Sequence, residues 1–447
     1  MISMKKNINT IITILLAVLT VAFASCSNEY EPVFDETPDD RLREQVEEMR
    51  TLLLSAPNGW KGHIFTGTGP GFFFYFDFQE NGKVRMVSDF DEESGSEVMD
   101  ATYLLKGLQR PTLSFDTYSY IHLLSDPTGS VNGGIDGVGL ISDFEFSLDS
   151  NEEGVVELTG IKNGVKMTMT QATAQEEDEY LDGIIGNQVS QLKSYITDFK
   201  FPYVEVSTNT KLAVKVDTTA KIFSLLFLDQ DKNVVQLASR YTHSNDGLLL
   251  AQPLQYGSNL TFQEVLWDPI QDNYYLLNGS SRLYFENDSA PVIPLVYALG
   301  FLHQYVFVDP SVQGYQAKLP ADFLNIYNTA KTGVFNVDDY QLELIAFSLL
   351  FDASNTVYMD YYVQNSTGTY RARFTYSMSV NSAGKATFNF VAQDANAAVI
   401  ASGLAPLLNY FKNNTFNINY YEDTDFGVMA GFYPEQSPTA YFYGFLE

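Results

Sequence analysis

The chain is 447 residues long and 45% hydrophobic, with 55 acidic against 26 basic side chains and a formal charge of −29. A surface that negative repels phosphate backbones and anionic head groups; nucleic acid is excluded as a partner, leaving neutral ligands, basic protein surfaces or divalent cations, unless the acids serve only solubility. The single cysteine excludes disulfides and zinc–thiolate sites, and roughly one domain per ~150 residues gives two or three domains.

Residues 1–25 have the parts of a secretory signal: Lys5 and Lys6, an apolar run over 11–24, then small Ala24 and Ser25 before Cys26. The run is shorter than the ~20 apolar residues that cross a bilayer. Cys26 stands where lipoprotein processing acylates a thiol and cuts just ahead of it, although Phe23-Ala24-Ser25 departs from the commoner leucine at the first position and glycine or alanine at the third. The alternative is an ordinary signal with a chance cysteine. The expected location is the outer membrane, lipid-anchored through Cys26 and facing the cell surface. Without Lys5 and Lys6 the remainder has 24 basic against 55 acidic side chains, a charge of −31. Residues 26–38 read as a flexible acidic tether carrying Glu29, Glu31, Asp35 and Glu36.

A helix follows, with Thr37 as cap, Pro38 in the first turn, Asp39 and Asp40 at the positive end, and Leu42, Val46, Met49 and Leu53 on one face until Pro57-Asn58-Gly59. The period then becomes that of strands. Residues 72–78 are nearly all aromatic, Asn81-Gly82 is a turn, and 84–87 returns. Further strands are expected over 102–105, 112–115, 118–124, 140–148 and 155–158, with a hairpin at Asn163-Gly164. One helix is expected over 175–199, then strands over 212–285, a short helix over 320–332, a longer one over 394–411, and strands again over 416–445. Phe223-Ser224-Leu225-Leu226-Phe227 and Phe347-Ser348-Leu349-Leu350-Phe351 each precede a polar turn and a return strand. With the Phe74 hairpin they make three similar units, possible module starts.

The fold class is thus α+β, mainly β, built from antiparallel hairpin modules with a few helices. The expected division is 39–173, 174–335 and 336–447.

Several phrases resemble an uncharacterised lipoprotein family of Bacteroidetes, domain of unknown function 4302. They are Asn58-Gly59-Trp60-Lys61-Gly62, Tyr75-Phe76-Asp77-Phe78, Leu108-Gln109-Arg110-Pro111-Thr112-Leu113, residues 115–127, and Ser142-Asp143-Phe144-Glu145-Phe146. The resemblance is strongest over 42–170 and more diffuse beyond. It implies no catalytic residue. It does imply a setting beside outer-membrane nutrient uptake, a TonB-dependent transporter with its lid lipoprotein and sometimes a zinc metallopeptidase, and so an accessory surface protein.

No motif assigns chemistry. His63, His122, His243 and His303 lack the spacing of paired helix ligands, so no metal or cofactor is expected. Gly67-Thr68-Gly69-Pro70-Gly71 runs into a strand and reads as a turn, and no nucleophile elbow is present. The glycine-rich segment 125–139 is a plain hairpin loop or a ligand lip beside Tyr118, Tyr120 and His122, with Asp126 in the lip. Trp267, with Trp60, Tyr274 and Tyr275, either stacks on a sugar ring or fills the core. The expected function is glycan or peptide capture beside a transporter. The alternatives are a structural or adhesive surface protein, and a hydrolase using paired carboxylates.

Overall fold

The computed structural model describes residues 37–447; the signal, Cys26 and nearly all of the tether lie outside the described residues. The first element is α1 (Pro38–Leu54), where the Thr37 hydroxyl accepts the N–H of Asp40 at 3.2 Å. Met49 and Leu53 bury its apolar face, and the Trp60 indole donates to the Leu53 carbonyl at 2.8 Å, tying the helix to the strand that follows.

The body is mainly β within an α+β chain. Its strands form three antiparallel meanders, each closed into an eight-stranded barrel. Barrel one comprises β1 (Trp60–Phe65), β2 (Gly71–Phe78), β3 (Lys83–Ser88), β4 (Met99–Gly107), β5 (Pro111–Phe115), β6 (Glu145–Glu152), β7 (Val155–Gly160) and β8 (Lys166–Gln171). It carries α2 (Glu92–Ser96) between β3 and β4, and α3 (Tyr120–Leu123) with α4 (Gly129–Asn132) between β5 and β6. Two helices, α5 (Ala174–Leu181) and α6 (Ile184–Asp198), lead to barrel two: β9 (Pro202–Ser207), β10 (Thr210–Asp217), β11 (Ile222–Leu228), β12 (Val234–Ser244), β13 (Gly247–Tyr256), β14 (Leu260–Asp268), β15 (Asn273–Asn278) and β16 (Ser281–Asn287). A connection holding α7 (Leu295–Ala298) enters barrel three. There β17 (Tyr305–Val308) is separated by α8 (Ala321–Phe335) from β18 (Glu343–Phe351), β19 (Thr356–Asn365), β20 (Gly368–Val380) and β21 (Ala386–Gln393). After α9 (Ala395–Asn413) come β22 (Phe416–Asp423), β23 (Gly427–Pro434) and β24 (Phe442–Leu446).

Side chains fill each interior, as expected of eight strands. Phe74, Phe76 and Phe78 meet Phe115 inside barrel one; Leu192 and Tyr195 of α6 join the core of barrel two; Leu404, Leu407 and Phe411 of α9 join that of barrel three. In barrel three β21 pairs with β22 only at Ala386 and Phe416, and α9 lies between them in the chain. The helices α8 and α9 touch backbone to backbone, since a Cβ on Gly333 would stand 2.4 Å from the Gly403 carbonyl.

The three apolar words of the sequence fall one in each barrel, as β2, β11 and β18. Each of these strands has consecutive buried residues, so both faces are covered and alternation is lost. Each ends in the same five-residue turn. The N–H of Gln79, Asp229 and Asp352 donates to the carbonyl four residues on, at 2.9, 2.9 and 3.0 Å, with Gly82, Lys232 and Asn355 left-handed. β11 is nevertheless the third strand of its barrel, whereas β2 and β18 are second.

Three local expectations are corrected. Residues 118–124 are not a strand: Tyr120, Ile121 and Leu124 are buried at helical spacing, and the Ser119 N–H closes onto His122 Nδ1 at 3.1 Å, forming α3. Of 140–148 only the part from Glu145 pairs; ahead of it Asp143 is buried, accepting the N–H groups of Lys162, Asn163 and Val165 at 3.0, 2.9 and 3.2 Å. The helix expected over 175–199 is two, because Gly183 adopts φ +84°.

Barrels one and two meet through a buried charge. β2 pairs with β1 from Gly71 to Phe76 but with β3 only from Phe74 onward, while β11 starts too late to cover the end of β12, so Phe73 and His243 have bare N–H groups. Asp89 satisfies both, at 2.7 and 2.8 Å, and also meets His243 Nδ1 at 3.1 Å and Lys221 Nζ at 2.9 Å. It is 0% exposed. Burial opposes its charge, yet the Lys221 ammonium and the His243 hydrogen bonds outweigh it and hold the carboxyl at about 2. Lys221 also donates to the Asp89 carbonyl at 2.7 Å and lies 4.2 Å over the Phe72 ring. Burial keeps His243 and His63 neutral, His63 being pushed down to about 4.

Asp89→Asn leaves Lys221 as an uncompensated buried cation, an expected loss of about 3–5 kcal/mol in denaturant titration. His63 and Asp89 titrate lower when folded than their ordinary 6.5 and 3.8, so the unfolded chain binds more protons. Their contribution to thermal stability is therefore expected to be full above pH 6.5, to decline as pH falls towards about 4 through His63, and to decline again towards about 2 through Asp89.

Candidate functional site

Beyond β5 the chain leaves barrel one through Asp116 and Thr117, makes α3, and returns to β6 past Phe144. The excursion brings three rings into one stack. Tyr118 lies on His122 with centroids 5.6 Å apart at 24°, and His122 on Phe144 at 4.7 Å and 29°. His122 is half-buried in the middle, while Tyr118 is 57% and Phe144 39% exposed. Burial pushes the imidazole below its ordinary value against the opposing Phe115 carbonyl and Asp116, so the stack is neutral.

The carboxylate at its edge belongs to Asp126. Tyr118 Oη donates to Asp126 Oδ2 at 2.5 Å and the Thr128 N–H to Oδ1 at 2.9 Å; these bonds hold the carboxyl below its usual range. Partial burial and this bond raise the phenol to about 12, so it stays protonated. The lip over 125–139 is tied down from within. Asn132 Nδ2 donates to the carbonyls of Leu123 and Asp126 at 2.8 and 2.9 Å, and Asp136 accepts the Gly129 N–H at 2.8 Å. Val131, Ile135 and Val138 stand exposed on this loop.

Of the residues singled out by sequence, Tyr118, His122 and Asp126 therefore meet. Tyr120 does not: it is 7% exposed and donates to the Glu97 carbonyl at 3.0 Å, turned inward by the helical spacing of α3. Trp267 lies in barrel two, edge-on to Tyr274 at 4.8 Å and to Tyr195 at 6.1 Å, where it closes the core around α6. Phe144 is the member that sequence reasoning missed; its signal was an aromatic directly after the buried pair Ser142-Asp143, out of phase with β6.

Other groups fit chemistry less well. Among the described residues no three His, Cys, Asp or Glu side chains are gathered to hold a metal ion. Asp246 is raised by burial and by Glu179 and Glu176. Glu176, against its own burial, is held low by Lys61 and the Thr173 N–H. Of that opposed pair Glu176 caps α5 and accepts from Lys61 at 2.7 Å, and neither acid lines a concavity between barrels two and three. A cleft of about 790 Å³ between barrels two and three presents Tyr297 and Phe301 with two acids, Asp231 and Asp352, but Asp352 spends Oδ1 on the N–H groups of Ser354 and Thr356.

The profile of a family described as Domain of unknown function (DUF4302) matches residues 30–269. The match spans α1, barrel one, the linking helices and barrel two as far as β14, ending before the two strands that close barrel two. No curated protein matches the chain.

Gly139 has φ +66°, and a Cβ there would stand 2.6 Å from the Asp126 carbonyl. Gly139→Ala is expected to cost about 1–3 kcal/mol locally, opening 125–139 to limited proteolysis while the melting temperature of the body moves little.

Proposed function

From a chain that belongs to the domain of unknown function 4302 family, a description that carries no activity, we propose a lipid-anchored surface protein of the outer membrane that captures neutral glycan for a TonB-dependent transporter and its lid lipoprotein. The observation that carries this reading is the exposed stack of Tyr118, His122 and Phe144 with Asp126 at its edge. Ring faces accept the C–H face of a sugar, and a carboxylate with free lone pairs accepts its hydroxyls. A wired loop loses little entropy when a ligand arrives. The charge of −29 supports neutral sugars over phosphorylated or uronic ones. Cys26 at the end of the signal supports the anchor, which holds the binding face near the transporter and raises its effective concentration.

A glycan array followed by calorimetry on the full-length protein tests the site. Tyr118→Ala is expected to weaken binding by about 0.5–1.5 kcal/mol, roughly two- to tenfold, and Trp267→Phe to leave it unchanged. Peptide binding without glycan binding would replace the ligand class, and glycan binding indifferent to Tyr118 and Phe144 would remove the site. The anchor is tested separately: Cys26→Ser is expected to move the protein from the detergent to the aqueous phase, and the native mature N-terminus to carry a diacylated cysteine by mass spectrometry.

A further inference from the structure

A second recess, remote in sequence from the ring stack, opens between barrels two and three. It measures about 340 Å³, within the ~300–1,000 Å³ typical of small-molecule sites. Its walls are apolar: Pro202 and Leu226 from barrel two, Ile293 and Leu302 from the connection, and Val428 from barrel three. The polar groups that join them are Lys200, Lys215, His303 and Tyr420, and no carboxylate lines the recess. In a chain of charge −29 that is a local inversion of sign.

Lys200 is spoken for, being paired with Glu422 across the two barrels. The others are not. Among the described residues the Lys215 ammonium, the His303 imidazole and the Tyr420 hydroxyl have no hydrogen-bond or ion-pair partner. They sit close together, with the His303 ring edge-on to Tyr420 at 5.8 Å, and with Lys215 adding to the burial that keeps His303 neutral. Three unused donors beside an apolar wall match one chemistry, an anionic head on an apolar body. We propose that this recess binds a free apolar carboxylic acid, its carboxylate held by Lys215, His303 and Tyr420 and its hydrocarbon laid against Leu226 and Leu302.

Decanoate, decanol and vesicles of phosphatidylglycerol serve as probes in calorimetry and sedimentation with the full-length protein. Decanoate is expected to bind one to one, with Lys215→Gln weakening it about tenfold and Lys215→Arg restoring it. Leu302→Trp, which fills the recess, is expected to abolish decanoate binding, while binding of decanol is indifferent to Lys215→Gln. Decanoate affinity unmoved by both Lys215→Gln and Leu302→Trp would overturn the assignment. So would Lys215-dependent sedimentation with the anionic vesicles in the absence of decanoate binding, which would make the recess a membrane contact.

Discussion

The carboxylate of Asp89 is the constraint on which the arrangement of the first two barrels depends. A closed barrel has no edges in principle. These two barrels are imperfectly closed where they touch, since β3 leaves the start of β2 uncovered and β11 leaves the end of β12 uncovered. Each gap exposes an N–H group, and both groups point at one buried acid. Replacing such a buried ion pair with apolar groups of equal volume often costs nothing in net stability. What Asp89 and Lys221 add is a penalty for every other docking, because either charge alone in that interface is expensive.

The same residue sets the frame for the ring stack. Just beyond Asp89 the chain makes α2, capped by Asp91 and Ser94, and Gly95 of α2 lies so close to α6 that a Cβ would stand 2.4 Å from the Gly186 nitrogen. The helix α6 in turn places Leu192 and Tyr195 in the core of barrel two. On the other side, the carbonyl of Glu97 receives Tyr120, which fixes α3 and so the ring of His122. Interface and stack are thus joined by one short stretch of backbone. Barrel three is attached differently, by Ile293, Leu295 and Leu299 of the connection packing with Leu226 in its core, and the recess that Lys215 borders lies along that seam.

How much of this was legible in the sequence follows from how local each cause is. The cap at Thr37, the Asn81-Gly82 turn, the aromatic strand over 72–78 and the helix over 394–411 are set by neighbours within a few residues, and sequence reading places all of them. The segment 118–124 misled because its aromatics suit a strand, whereas a single Ser119 to His122 bond turns it into a helix. Barrel closure could not be read, since Trp60 pairs with Gln171 and nothing near either residue says so. The lock was invisible for the same reason: Asp89 and His243 stand 154 residues apart and look like ordinary polar positions. At the stack, Tyr118, His122 and Asp126 were found through the glycine-rich loop beside them, while Tyr120 was included by proximity in sequence and Phe144 overlooked because it arrives from the far side of the loop.

One carboxylate makes barrels one and two a single cooperative unit. Native-state hydrogen exchange at the amides of Phe73 and His243 tests it most directly. Both donate to Asp89, so both are expected to exchange only through the same global opening, with equal free energies that match denaturant unfolding. Separate exchange free energies for the two amides, with either well below the global value, would show that the barrels open independently and that Asp89 does not join them.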